Sequence, residues 1–418
     1  MDHFHYKNED YKEGELYAEN VKVSEIAKQV GTPFYCYSSA TLRHHVQVMQ
    51  ASLASLKPKI CFAVKANGNP HILSVLQQAG AGADVVSEGE IRLALHAGIA
   101  PSDIIFSGVG KTKNEIVFAL KQQIFQFNVE SLAELHAINQ VAGEMNVIAP
   151  IAIRINPDVD AGTHEKITTG RKDSKFGVDI DEAPAIYAIA KTLPHLKVQG
   201  VSVHIGSQLT ALEPFAQAFR RVRNFVEEMR GQNYAISVVD LGGGLGIPYD
   251  LREQTPPSPQ EYGAIISEIM QGLEAQFVFE PGRLIAGNAG ILVASVIYIK
   301  QGATDFAIID AGMNDLARPA IYGAYHEIIS VKQAATTANY HVVGPVCESS
   351  DIFAKNVALP DLQPDDLVAI RSAGAYGASM SSTYNCRPLV PEVLVDDDNF
   401  RIIRRRKSYT EMLADYND

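Results

Sequence analysis

The stretch KICFAVKA at residues 59–66 is the first of eight short apolar runs that recur along the chain and decide its fold. Most of these runs are continuously apolar rather than alternating, as are the strands of a parallel sheet that is buried on both faces. Most of them end in Gly, Ser, Asn, Pro or Glu. The seven that follow are GADVVS (82–87), DIIFSG (103–108), FQFNVE (125–130), PIAIRINP (150–157), VQGVSVHIG (198–206), ISVVDLGGG (236–244) and QFVFEPGR (276–283).

Helical patterns lie between these runs. Examples are PHILSVLQQAG (70–80), SEGEIRLALHAG (87–98) and LEPFAQAFRRVRNFVEEMRG (212–231), each closed by a glycine, as many helices are. Eight strands alternating with helices predict an α/β fold, a (β/α)8 barrel of the TIM type. A doubly wound open sheet has the same alternation and is the competing prediction, because counting strands does not distinguish the two.

After residue 283 the chain changes to strand-like pieces such as VASVIYIK (293–300), YHVVGPVCE (340–348) and FRIIRRR (400–406), linked by Gly, Pro and Asp. These pieces predict a separate β-rich, sandwich- or barrel-like domain. We therefore expect a barrel over residues 31–280 and a β-rich domain formed by residues 1–30 plus 281–418.

Length, net charge and composition limit the classes of function that the chain can have. A chain of 418 residues is long enough for two domains. Its net charge of −12 argues against a nucleic-acid or anionic-membrane surface. The polar start and the absence of an apolar run near the roughly 20 residues of a membrane span lead us to expect a cytoplasmic protein. The four cysteines form no CxxC pair, so we expect neither a metal site nor a disulfide framework.

A lysine stands where the first strand is expected to end. Catalytic groups of such barrels gather at the carboxyl ends of the strands. Lys65 follows an apolar run, and partial desolvation there favours the free amine that forms a Schiff base. A lysine reaching from a strand end to water is the alternative, and Lys65 by itself does not exclude it.

Glycines follow the seventh and eighth runs, in DLGGGLG (240–246) and EPGR (280–283). Glycines let backbone N–H groups close on an anion, and barrels commonly bind phosphate after strands 7 and 8. Tight turns are the alternative. A dinucleotide fingerprint is disfavoured because its third glycine would fall on Ile247. The arginine of the second turn favours a phosphate site.

The sixth run ends near His204. Alone, such a histidine is more often structural than functional. Together with Lys65, a phosphate site and Glu280 it completes what pyridoxal phosphate requires: a lysine, a phosphate cradle, a ring-stacking group and an acid for the ring nitrogen.

The motifs FAVKAN (62–67), HIGSQ (204–208), GGGLG and EPGR resemble those of the group-IV pyridoxal-phosphate-dependent decarboxylases, which share an alanine-racemase-like barrel. The resemblance covers nearly the whole chain. It implies pyridoxal 5'-phosphate as the cofactor and these contacts: Lys65 as the Schiff-base lysine, His204 stacked on the ring, Glu280 at the ring nitrogen, Ser207, Gly243 and the Gly282-Arg283 turn on the phosphate, and Tyr376 touching cofactor and substrate.

In the second domain RPAIYGAYH (318–326), VGPVCESSD (343–351) and AYGASMSSTYNCRP (375–388) resemble the diaminopimelate-specific branch of that family rather than the ornithine or arginine branches. This implies decarboxylation of meso-2,6-diaminopimelate to L-lysine and carbon dioxide, the last step of lysine biosynthesis. It also implies a homodimer with shared active sites, to which the second domain contributes. The implied substrate contacts are Arg283, Arg318 and Tyr322 on the distal carboxylate, Glu348 on the distal ammonium, and Cys347 as the acid that reprotonates carbon, with Cys347 and Glu348 supplied by the other subunit.

Three alternatives remain open at this point. The same scaffold serves other substrates, namely ornithine, arginine, carboxynorspermidine or a carrier-linked amino acid, and Arg318 and Glu348 discriminate against them. Racemisation is disfavoured because the second domain resembles the decarboxylases. A non-catalytic relative is disfavoured because both Lys65 and Cys347 are present.

Overall fold

The computed structural model describes residues 3–7, 14–160, 175–250 and 255–416. The chain divides into two compact units, which we call the barrel unit (residues 45–247 and 254–284) and the β unit (residues 1–44, 248–253 and 285–418). Within the described ranges, no helix has both the length and the apolar character needed to cross a membrane.

Strands and helices are numbered in chain order. The strands are β1 (Phe4–Lys7), β2 (Glu15–Ala18), β3 (Val21–Lys22), β4 (Phe34–Ser38), β5 (Lys59–Ala63), β6 (Gly82–Val85), β7 (Ile104–Phe106), β8 (Gln126–Val129), β9 (Ala149–Asn156), β10 (Val178–Asp179), β11 (Leu196–Ser202), β12 (Val238–Asp240), β13 (Gln276–Phe279), β14 (Gly290–Lys300), β15 (Phe306–Ile309), β16 (Ile328–Ser330), β17 (Ala338–Val343), β18 (Ile352–Leu359), β19 (Leu367–Ile370), β20 (Glu392–Asp396) and β21 (Asn399–Arg404). The helices are α1 (Val23–Val30), α2 (Ser39–Ser52), α3 (Pro70–Gln78), α4 (Glu88–His96), α5 (Lys113–Gln122), α6 (Leu132–Glu144), α7 (Ala183–Thr192), α8 (Glu213–Gly231), α9 (Pro259–Ile269), α10 (Arg283–Ala286), α11 (Arg318–Tyr322) and α12 (Tyr409–Ala414).

The barrel unit is a closed ring of parallel strands. The sheet runs β9-β11-β12-β13-β5-β6-β7-β8, and β8 pairs in turn with β9. Each of the eight predicted runs supplies one strand of the ring, which confirms the (β/α)8 barrel; the open-sheet alternative is wrong. The two-residue strand β10 pairs with β9 outside the ring and was not predicted.

Helices α3, α4 and α5 of the barrel unit have starts or ends that the sequence signals place correctly. The side chains of Ser87 and Thr112 accept hydrogen bonds from backbone N–H groups at the starts of α4 and α5, which satisfies donors that a helix start leaves open. Gly80 and Gly98 follow α3 and α4 with φ of 90° and 89°, a conformation that glycine adopts without steric cost. The predicted helices 70–80 and 87–98 are therefore present.

The β unit contains a sheet with the strand order β18-β17-β15-β14-β4-β20-β21, to which β19 and β16 are added beside β14. Strand β4 lies between β14 and β20, antiparallel to the first and parallel to the second. Residues 31–44 thus lie in the β unit, whereas the sequence prediction placed them in the barrel. Apolar side chains of β4, β14 and β20 share one core with α1.

Candidate active site

Lys65 lies in the turn that directly follows β5. Its Nζ is 2.7 Å from Oδ2 of Asp84 on β6, and 40% of the lysine side chain is exposed whereas Asp84 is fully buried. The other oxygen of Asp84, Oδ1, has no hydrogen-bond partner in the described part of the chain. A buried carboxylate thus holds the partly desolvated lysine at the mouth of the barrel, where solvent still reaches it.

His204 lies two residues beyond the end of β11. The backbone N–H of Gly243 donates to its Nδ1 at 3.2 Å, so the proton of a neutral ring is carried on Nε2. Desolvation of the ring, together with the positive charges of Arg154 and Lys65, holds the pKa of His204 well below its usual value of 6.5. The ring is therefore uncharged at neutral pH.

Gly243 is packed against the loop that follows β13. A methyl group at this position would lie 2.3 Å from the carbonyl oxygen of Glu280, much closer than van der Waals contact. Because its N–H is already bound to His204, Gly243 contributes close backbone approach rather than a donor. The loops after β12 and β13 approach this closely because Gly243 has no side chain.

We predict that Gly243→Ala lowers the stability of the protein by about 1–3 kcal/mol, the usual effect of forcing an extra carbon into a packed site. Gly231→Ala, at the end of α8, is the matched control, because an added carbon there meets nothing within 4 Å. Thermal unfolding of both variants, with and without added pyridoxal phosphate, provides the measurement. Equal melting temperatures for the two variants would contradict the packing argument.

Ser207 lies in the loop after β11, and Arg283 begins α10, shortly after β13. The Nη2 of Arg283 donates to Oγ of Ser207 at 3.1 Å, and Arg283, which directly follows Gly282, is 7% exposed. The buried guanidinium and the hydroxyl together form a cradle whose positive charge and hydrogen-bond donors suit a phosphate group. The structure thus brings Ser207, Gly243 and Arg283 of the predicted set together.

Glu280 directly follows β13 and is buried beside a second carboxyl group, Asp240 at the end of β12. Nδ2 of Asn128 on β8 donates to Oδ2 of Asp240 at 2.9 Å and to Oε1 of Glu280 at 3.3 Å. Burial raises the pKa of Glu280 well above its usual value, and the charges of Asp240 and Asp84 raise it further. Two neighbouring buried carboxyl groups are not both ionised readily. The pair therefore holds a proton that a basic ring nitrogen could accept, which fits pyridoxal phosphate.

Sequence reasoning missed Asp84, Asp240 and Asn128. Each is a polar residue inside an apolar run, in GADVVS, ISVVDLGGG and FQFNVE, and each is at most 1% exposed. A charged or amide side chain within a strand buried on both faces requires a polar partner. A polar residue inside an apolar run was therefore the sequence feature that could have identified these three residues.

In the β unit, Arg318 begins α11 and is 6% exposed. Its Nη1 lies 2.7 Å from Nε2 of His326, and its guanidinium lies 4.5 Å from the ring centroid of Tyr249. Tyr322, at the other end of α11, is half-buried. The predicted carboxylate-binding arginine is thus a buried, well-supported cation.

Cys347 and Glu348 are exposed and lie between β17 and β18. The N–H of Cys347 donates to Oδ1 of Asn385 at 2.8 Å, and the hydroxyl of Tyr384 donates to Oε2 of Glu348 at 3.3 Å. Both residues are thus anchored to one short turn of the same unit. Tyr376 is half-buried and has φ of 56°, a left-handed conformation that is uncommon outside glycine.

Residues 39–287 match the family model described as pyridoxal-dependent decarboxylase, pyridoxal binding domain. The chain is 46% identical to the diaminopimelate decarboxylase of Vibrio cholerae over 99% of this chain and 98% of that protein. It is 47% identical to that of Haemophilus influenzae over 97% of this chain and 98% of that protein.

Among solved structures, the diaminopimelate decarboxylase of Helicobacter pylori in complex with L-lysine matches with a TM-score of 0.91 and 41% identity, over 94% of this chain and 98% of that one. That of M. jannaschii with L-lysine matches with a TM-score of 0.94 and 36% identity, over 99% and 98%. The barrel is thus that of the pyridoxal-dependent decarboxylases. The chain belongs to the diaminopimelate decarboxylase family.

Proposed function

We propose that this protein is a carboxy-lyase that converts meso-2,6-diaminopimelate to L-lysine and carbon dioxide, the last step of lysine biosynthesis. The 46% identity to the diaminopimelate decarboxylase of Vibrio cholerae over nearly the whole chain supports this reaction. The observation that carries the substrate assignment is the buried guanidinium of Arg318, which His326 and Tyr249 hold in one orientation, because an oriented guanidinium can bind a carboxylate with two parallel hydrogen bonds. A substrate with a second amino-acid head supplies that carboxylate.

Pyridoxal 5'-phosphate is the proposed cofactor. We propose that Lys65 holds it covalently, that Ser207 and the Gly282-Arg283 turn contact the phosphate where Gly243 permits close approach, and that His204, Glu280 and Tyr376 contact the rest of it. When bound, the cofactor supplies an electron sink for the bond that breaks. The Ser207–Arg283 cradle and the buried carboxyl pair support this assignment.

The chain's own groups hold and move the protons. With its raised pKa, the carboxyl group of Glu280 keeps or donates a proton that a basic ring nitrogen needs, and the resulting charge-assisted hydrogen bond is a strong one. His204 stays neutral, so it adds no positive charge beside the ring. The exposed thiol of Cys347 is proposed to give its Sγ proton to the substrate carbon that has lost carbon dioxide.

Substrate choice is assigned to the far end of the substrate. Arg283, Arg318 and Tyr322 are proposed to bind the distal carboxylate, since the planar guanidinium matches a carboxylate with two parallel hydrogen bonds. Glu348 is proposed to bind the distal ammonium. As substrates, lysine and ornithine have no distal carboxylate, so they would not form these hydrogen bonds with the arginines.

We further propose a homodimer in which Cys347 and Glu348 of one subunit act with Lys65 of the other. Both residues are exposed within their own chain, as groups that act on a partner's site must be. The turn at Tyr384 and Asn385 holds them in a defined position.

The variant Arg318→Ala tests the substrate assignment. Breaking a buried charged pair costs about 3–5 kcal/mol, so we expect kcat/KM for diaminopimelate to fall by roughly three orders of magnitude. The cofactor spectrum should be unchanged, because the proposed contact is with substrate alone.

The matched control is Arg404→Ala, which removes another arginine of the β unit, one paired with Glu392 at 3.2 Å. Its kcat/KM should stay near that of the wild type. Unchanged turnover of diaminopimelate by Arg318→Ala, with both variants folded, would refute the assignment of the distal carboxylate to Arg318.

A further inference from the structure

We propose that His326 is a positioning residue that fixes the orientation of the Arg318 guanidinium and thereby sets the affinity of the enzyme for a substrate carboxylate. The proposal rests on the proposed function, in which Arg318 binds that carboxylate. His326 lies eight residues after Arg318, beyond the end of α11, and is 1% exposed. It has no proposed contact with cofactor or substrate.

The hydrogen bonds of His326 determine its tautomer. Nε2 lies 2.7 Å from Nη1 of Arg318, and Nδ1 lies 2.9 Å from the carbonyl oxygen of Arg371. A guanidinium only donates and a carbonyl only accepts. Nε2 must therefore accept and Nδ1–H must donate, so the ring is neutral and both of its nitrogens are engaged.

Tyr249 supports the same arginine from a second direction. The guanidinium lies 4.5 Å from the Tyr249 ring centroid, and the Tyr249 and His326 rings meet edge to face at 5.1 Å and 76°. One aromatic side chain thus holds the face of the guanidinium, and the other binds an edge nitrogen.

This arrangement matters because of how arginine binds a carboxylate. Two parallel N–H···O bonds form only when the guanidinium plane is aligned with the carboxylate. A long arginine side chain has many rotamers, and ordering it on binding opposes affinity. His326 removes that cost in advance, since the bond to Nη1 fixes the plane before substrate arrives.

A pair of ligands isolates the effect. L-lysine keeps the carboxylate of the distal head, whereas cadaverine is the same diamine without it. Because ordering one long side chain on binding costs about 0.5–1.5 kcal/mol, we expect His326→Asn to weaken inhibition by L-lysine by about two- to tenfold. Inhibition by cadaverine should not change. KM for diaminopimelate should rise while kcat is largely kept.

Three variants make the test specific. In His326→Asn the amide reaches only the Nδ1 position, so the bond to the Arg371 carbonyl is kept and the acceptor for Arg318 is lost. His326→Gln places an acceptor near the Nε2 position and should restore much of the affinity for L-lysine. His341→Phe is the control, because His341 also packs edge to face on an aromatic ring, that of Phe306, yet has no such arginine partner in the described residues.

Equal weakening of L-lysine and cadaverine by His326→Asn would mean a merely structural role and would overturn the proposal. The proposal would also be overturned if His326→Asn kept its full effect in a protein that already carries Arg318→Ala. A residue that acts through Arg318 has nothing to position once that arginine is removed. If Arg318→Ala alone fails to weaken L-lysine relative to cadaverine, the proposed function is at fault. If Arg318→Ala does so and His326→Asn does not, only the present inference fails.

Discussion

Replacing Lys65 with alanine is expected to abolish both the covalent attachment of the cofactor and turnover. Lys65 is partly exposed and is held by Asp84 at the mouth of the barrel. Lys111, which follows β7, differs from it, because its Nζ is buried and donates to two carbonyl oxygens and to Glu134. An ammonium with all three donors engaged is poorly placed to react, which favours Lys65 over Lys111 as the proposed nucleophile.

The measurement is the visible absorption of the lysine-linked cofactor, followed by borohydride reduction and peptide mass analysis. Lys59→Ala is the matched control, because Lys59 begins the same strand at its opposite end and should keep both the absorption and the activity. Cofactor could still bind to Lys65→Ala without a covalent bond. A reducible linkage together with full turnover in Lys65→Ala would show that the assignment is wrong.

Replacing Cys347 with alanine is expected to reduce turnover by roughly 10²- to 10⁴-fold, the usual contribution of a positioned acid. Cofactor binding should persist, because the thiol is proposed to protonate carbon and not to hold the cofactor. Cys386, the other exposed cysteine of the β unit, provides the control variant Cys386→Ala. Turnover and the cofactor spectrum of both variants are the readouts.

The same variant tests the shared site. Mixing Cys347→Ala with Lys65→Ala under conditions that exchange subunits should restore part of the activity, since one of the two sites in each heterodimer then has both residues. No recovery, with heterodimers shown to form, would contradict a site built from two subunits.

Much of the fold could be predicted because a barrel strand is apolar on both faces and has to be followed by a helix. Strand β4, with the sequence FYCYS, shows where that reasoning ends. Its local pattern is that of any buried strand, but its partners β14 and β20 lie more than 250 positions along the chain. Pairing between strands so far apart in sequence leaves no signal in the local sequence, so these residues were predicted to belong to the barrel.

The residues of the active site also fall into those that the sequence could reveal and those that it could not. Lys65, His204 and Glu280 could be singled out because each lies at or just beyond a strand end. Asp84 and Asp240 could not, since their role depends on which side chains the closed ring brings beside them. The pairing of Arg318 with His326 was equally hidden, because Gly323 ends α11 after Tyr322 with φ of 61°, and a helix does not bring residues eight positions apart into contact.

The most direct test of the proposed function is the release of carbon dioxide by the wild-type protein from meso-diaminopimelate, L-lysine, L-ornithine and L-arginine, with and without added pyridoxal phosphate. We expect release from diaminopimelate with L-lysine as the product, dependence on the cofactor, and little release from the other three amino acids. Faster release from ornithine or arginine, or none from diaminopimelate with cofactor bound, would contradict it.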